Sequence, residues 1–178
     1  METKSTNIGV TYGLISGLAS VIFGLLLYLN GAKSFVSPIA WVGFLIPIVI
    51  AVLAGIKQKK SNGGYLDFAG ALKVVFTTFV IGTIISTIFN YVLFNFIDIP
   101  FREALTQEST EKMQQMMQKF GAPQDAIDKA TEESLKGNNY SLGKTSLSAA
   151  FICIFWFVVS LVIAAIVKKK KPEFPAAQ

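Results

Sequence analysis

Two rows of side chains are spaced so that they could act together. Thr83, Ser86, Thr87 and Asn90 fall at i, i+3, i+4 and i+7, one face of a helix. They form hydrogen bonds but carry no charge. Their chemistry would be to line a path for a small solute or to hold neighbouring helices together. Met113, Met116, Met117 and Phe120 repeat the same spacing inside a polar stretch and make a soft apolar face. Thioethers suit Cu(I), but a Met and Phe stripe at helical spacing reads as a packing or interaction surface. Reaction chemistry has less to draw on. Histidine is absent from the 178 residues, which removes the commonest general base and metal ligand. The one cysteine, Cys153, lies in an apolar run, and no loop gathers acids around a turn glycine as calcium would need. The chain is therefore expected not to be an enzyme, and no catalytic, cofactor-binding or metal-ligating residue is assigned.

The elements that must carry these rows are set by hydropathy. Hydrophobic residues make up 52% of the chain and charged ones 15%, against about 25% charged in an ordinary soluble domain. The mean hydropathy is +0.54. Uncharged or nearly uncharged runs predict four transmembrane helices over about 8–29, 35–56, 72–97 and 147–167. Past Lys73 the third, at 1.5 Å per residue, would be about 36 Å long, enough for a hydrocarbon core of about 30 Å. The first is too long for a signal-peptide core and reads as a retained span. In it Gly9, Gly13 and Gly17, continued by Ser16, Ser20 and Gly24, form a small-residue stripe suited to helix packing within the chain or to a homodimer seam. Pro38 fits the first turn of the second span, whereas Pro47 falls within it and predicts a bend.

Between spans three and four, residues 98–146 form the one long polar segment, with eight acids and six basic residues. Its punctuation predicts a helical hairpin. Pro100 suits the start of one helix and Gly121 its end, Pro123 opens a second, and Gly137 closes it. Glu108 with Lys112, Asp125 with Lys129 and Glu132 with Lys136 are acid-before-lysine pairs at i, i+4.

The run Gly64-Tyr65-Leu66-Asp67-Phe68-Ala69-Gly70-Ala71-Leu72-Lys73 resembles a recurrent segment of a bacterial membrane-protein family, domain of unknown function 4199. The Met- and Gln-rich helix, the Gly-Ala-Pro-Gln-Asp break at 121–125 and the acidic helix after it strengthen that resemblance. It implies an architecture and a bacterial inner membrane, and it brings no catalytic residues.

The net charge of +5 does not point to nucleic acid, because the lysines flank apolar runs and form no aromatic-interleaved face. Lys4, Lys57, Lys59, Lys60, Lys73 and Lys168 to Lys171 fall near one set of span ends, and Lys33, Arg102 and Lys144 near the other. Positive loops resist translocation, so both termini are expected in the cytoplasm and the polar insert outside it. The expected fold is an all-α integral membrane protein, four transmembrane helices as an antiparallel bundle with an extracytoplasmic amphipathic hairpin. The expected role is a non-enzymatic interaction or assembly module in the lipid bilayer of the inner membrane, meeting a protein partner or a copy of itself. The alternative is a small transporter or channel component that uses the Thr83 to Asn90 face.

Overall fold

An apolar run in lipid has no water for its backbone N–H and C=O groups, so it must satisfy them within itself, and a helix does so. The computed structural model describes residues 7–137 and 139–171. Among them are seven α-helices: α1 (Ile8–Leu29), α2 (Ala32–Phe35), α3 (Val42–Ser61), α4 (Phe68–Val92), α5 (Ile99–Lys119), α6 (Gln124–Lys136) and α7 (Leu142–Val167). A 3₁₀ turn at Pro38–Trp41 leads into α3, and a π-helical turn at Leu93–Ile97 continues α4. Four segments are long and apolar enough to cross a membrane: Ile8–Leu29, Pro38–Ser61, Phe68–Ile97 and Leu142–Val167. At most 28% of any of these apolar stretches is buried inside the chain, so their hydrophobic surface faces outward, as a multi-pass membrane protein requires.

The helices do not stop where the apolar runs stop. The second begins its regular turns at Val42 and continues to Ser61, through lysines that have good helix propensity and sit favourably at the negative end of the helix dipole. The connection to α4 shrinks to six residues, 62–67, because Gly63 and Gly64 take φ values of 69° and 89° and turn the chain sharply. Asp67 then caps α4, its carboxylate accepting from the Gly70 N–H at 3.2 Å. Ser141 opens α7 five residues before the expected span. The stretch carrying Lys4 and the tail 172–178 lie outside the described residues.

Helix α4 is the central strut, packing on α1, α3 and α7. Its contact with α1 is close because α1 brings almost no side chain to it. A Cβ on Gly9 would lie 2.9 Å from the Val74 carbonyl oxygen, and on Gly13 and Gly17 it would lie 2.7 Å from Ile81 and Ile85. Gly9, Gly13 and Gly17 are thus covered by α4 of the same chain. At one end of the bundle a core of Ala51, Ala71, Val75, Phe79, Trp156, Ile163 and Val167 joins α3, α4 and α7, and α3 packs on α1 as well. That end is tied by backbone: Leu66 and Lys169 exchange N–H···O bonds of 2.9 and 2.7 Å.

Gly13→Ala should lower stability by about 1–3 kcal/mol, the usual cost of overpacking. Gly24→Ala, whose Cβ would meet nothing within 4 Å, should cause no loss. Thermal unfolding of the two variants in detergent checks this contrast.

Candidate functional site

The polar row of α4 lines a cavity of about 380 Å³ between α1, α3, α4 and α7. Thr83, Ser86, Thr87 and Asn90 all border it, and Ser16 and Ser20 of α1 bring further hydroxyls to its lining. The rest is apolar and mostly aromatic or small: Phe23, Phe44, Phe79, Trp156, Gly24, Gly43 and Pro47 are among the lining residues, with Leu27 and Ile152, and none of the lining side chains is charged. Phe79 and Trp156, stacked 4.4 Å apart and 6° from parallel, belong also to the core at one end. Phe35, at the other end, belongs to a second apolar cluster. The cavity is a partly open chamber between two filled regions.

The hydroxyls differ in how they are used. Ser86 donates to the Gly82 carbonyl at 3.0 Å, the intrahelical bond that a serine in an apolar setting normally finds. Ser16 is completely buried and its Oγ has no partner. Thr87 and Asn90 also face a second cavity of about 250 Å³, bordered by Tyr91, Phe94, Tyr140, Thr145 and Ser148, so they stand between the two.

A second constellation lies where α5 leaves the bundle. The Tyr28 hydroxyl of α1 donates to Asp98 Oδ2 at 2.6 Å, and Asp98 Oδ1 accepts from the Phe101 N–H at 2.9 Å, capping α5. Both bonds favour the charged carboxylate, Tyr28 more strongly, and hold Asp98 below the usual carboxylate range against a smaller opposing effect of burial. The π-helical turn permits this, since Asp98 N–H reaches back to the Leu93 carbonyl at 2.9 Å. Asn95 donates to the Tyr140 carbonyl at 3.1 Å and accepts from Arg102 at 3.3 Å, tying the approach to α7 to the same corner. Around it Phe94 and Phe101 stack 2° from parallel, and Tyr28 and Phe35 pack on Phe101 at 4.6 and 5.7 Å. Burial pushes the Tyr140 phenol up, with Thr106 and the charge of Arg102 opposing it.

Beyond this seat α5 and α6 form the hairpin. Gly121 turns it at φ 73°, with the Ala122 N–H on the Met117 carbonyl at 3.0 Å. Their interface is largely polar: Thr110 meets Ser134 at 2.7 Å and Gln114 donates to Thr131 at 2.8 Å, with Ile127 the buried apolar residue of α6. The methionine row is divided. Met113 and Met117 are half-buried, whereas Met116 is 53% exposed and Phe120 85%. Of the three anticipated acid–lysine pairs, Glu132 with Lys136 forms, while Glu108 lies 4.0 Å from Lys33 on the bundle instead. Among the described residues no group of three or more acids or cysteines could hold a metal ion.

A family model described as a protein of unknown function (DUF4199) matches residues 11–169. The chain belongs to that family. The DUF4199 match runs from the second half of the first turn of α1 to Lys169, so it takes in most of α1, the other three apolar helices and the whole hairpin. No curated protein and no solved structure matches the chain.

The Tyr28–Asp98 seat was missed by hydropathy because its partners are 70 residues apart. Asp98 has a depressed pKa, so its contribution is complete above the ordinary carboxylate range and is lost as pH falls through its lowered value. Tyr28→Phe or Asp98→Asn should speed amide exchange in the first turns of α5 at neutral pH. In the unsubstituted protein the same loosening should appear only in acid, read by hydrogen exchange across a pH series.

Proposed function

We propose that the protein is a non-enzymatic, multi-pass protein of a bacterial inner membrane that works as an assembly module. Its four apolar helices run alternately through the bilayer as an antiparallel bundle, with both termini in the cytoplasm and the α5–α6 hairpin outside. Lysine placement supports this orientation. Lys57, Lys59, Lys60 and Lys168 to Lys171 gather at the end where Leu66 pairs with Lys169, whereas Lys33 and Arg102 at the hairpin end are each set beside an acid or an amide. The aromatics at the lysine-rich end fit a headgroup layer, with Lys169 5.7 Å from the Tyr65 ring and Lys168 5.8 Å from that of Phe68.

The observation that carries the assembly role is the exposure of Phe120 and Met116 at the apex of a hairpin whose base is firmly seated. A large aromatic left in water at the tip of an otherwise polar hairpin is costly unless another protein covers it. The partner surface that fits is an apolar patch on a membrane protein of the same compartment.

A second reading has one observation behind it. All four polar residues of α4 border a single cavity, as a component of a small transporter or channel would need. Solute flux through reconstituted vesicles, lost on Asn90→Leu, would carry that reading.

Two measurements test the proposal. In a Cys153→Ala background, a membrane-impermeant maleimide should label Phe120→Cys in intact spheroplasts and Asn62→Cys only after permeabilisation; the reverse pattern overturns the orientation. A photo-crosslinking residue at Met116 should capture one distinct protein, and Phe120→Glu should abolish that capture while leaving the thermal stability of the bundle unchanged. Crosslinks confined to lipid would overturn the assembly role.

A further inference from the structure

We propose that the chamber between α1, α3, α4 and α7 is a binding site for an uncharged, membrane-soluble amphiphile, a molecule with an apolar body and a small head bearing a hydrogen-bonding oxygen. The inference rests on the chamber and is independent of the hairpin's role. It also requires no solute to cross the membrane.

Three features of the lining select this class. The volume of about 380 Å³ falls within the range of small-molecule sites. Every polar side-chain group on the wall is a neutral hydroxyl, amide or indole, so a charged ligand would find no counter-ion, and in a low-dielectric setting that is prohibitive. The walls otherwise offer flat aromatic surface, with Phe79 and Trp156 at one end and Phe23 and Phe44 on the sides. A ring or a short acyl segment fits against such walls, and a sugar or an ion does not.

The Ser16 hydroxyl makes this a site rather than a packing defect. A buried hydroxyl without a partner costs about 1–3 kcal/mol, and a serine on a helix can usually avoid that by bonding its own backbone, as Ser86 and Ser160 do. Ser16 has no partner and borders the chamber together with Thr83 and Ser86. Its side chain is fully buried beside Gly82, so a head that settles at this end of the chamber brings a carbonyl or hydroxyl oxygen to it only as α1 and Gly82 give way slightly.

Such a head occurs on two kinds of molecule, a neutral glycerolipid of the bilayer and a lipid-soluble ring compound such as a quinone. The protein carries its own reporter, because Trp156 borders the chamber while Trp41, 73% exposed, can be replaced by Phe. The Trp41→Phe protein in phosphatidylcholine nanodiscs would be titrated with decylubiquinone, which quenches indole fluorescence, and then with dioctanoylglycerol as competitor. Saturable quenching is expected. Displacement by dioctanoylglycerol would assign the site to a glycerolipid, and its failure to compete would assign it to a ring compound; either sustains the proposal.

Two variants guard against simple partitioning into lipid. Gly24→Leu places a side chain in the chamber where a Cβ meets nothing within 4 Å, and it should remove the saturable phase. Ser16→Ala should weaken binding about fivefold, the equivalent of one hydrogen bond, while raising the melting temperature of the empty protein. Linear quenching with the same slope in the parent and Gly24→Leu proteins would overturn the proposal, as would unchanged affinity in Ser16→Ala.

Discussion

The bundle depends on how closely α1 can approach α4. In lipid the hydrophobic effect gives helices no reason to associate, because the surrounding chains are as apolar as leucine. What remains is direct packing, and that grows as backbones draw together. Gly9, Gly13 and Gly17 remove the side chains that would hold the two helices apart, so Val74, Ile81 and Ile85 rest on the α1 backbone itself. The Thr78 hydroxyl adds to the same contact, buried between the Val74 carbonyl at 3.0 Å and the Gly9 carbonyl at 3.3 Å. With α1 fixed on α4, α3 packs against both of them and α7 against α4, joined through Ala51, Val75 and Val167.

The tight packing does not extend along the whole of α1. Past Gly17 its inward side chains are Ser20, Gly24 and Leu27, and opposite them α3 presents Gly43 and Pro47. Small residues on facing helices leave room unless the backbones close in, and Phe23 against Gly43 stands in the way of closure. One composition of small residues thus yields a seam at one end of α1 and a chamber at the other. The difference lies in what α4 sets against them: branched isoleucines that fill the seam, and short polar side chains that do not fill the chamber.

The hairpin is joined to the bundle by a corner rather than by a tether. Asp98 serves at once as the cap of α5 and as the acceptor for Tyr28, so the first turn of the polar helix and the last turn of α1 share one carboxylate. The aromatic cluster of Tyr28, Phe35, Phe94 and Phe101 packs beside that bond. The same cluster includes Phe35, which borders the chamber, and Phe94, which borders the smaller cavity beside Asn90.

Hydropathy by itself determined the four apolar helices, since a bilayer admits few other structures for such runs, and Pro100, Gly121, Pro123 and Gly137 marked the helix ends of the hairpin. The glycine stripe and the Thr83 to Asn90 face could be placed on their helices by spacing alone, because a helix repeats every 3.6 residues whatever surrounds it. Their neighbours could not. Which helix fills the stripe, which hydroxyl is left unpaired, and that Glu108 turns to Lys33 rather than to Lys112 are decided by residues distant in the chain and adjacent in space. The same holds for Tyr28 and Asp98, and for the cavity itself, an empty volume defined only when four helices meet. Local sequence sets periodicity and punctuation; contacts across the bundle set partners, and partners decide what a polar group inside a membrane can do.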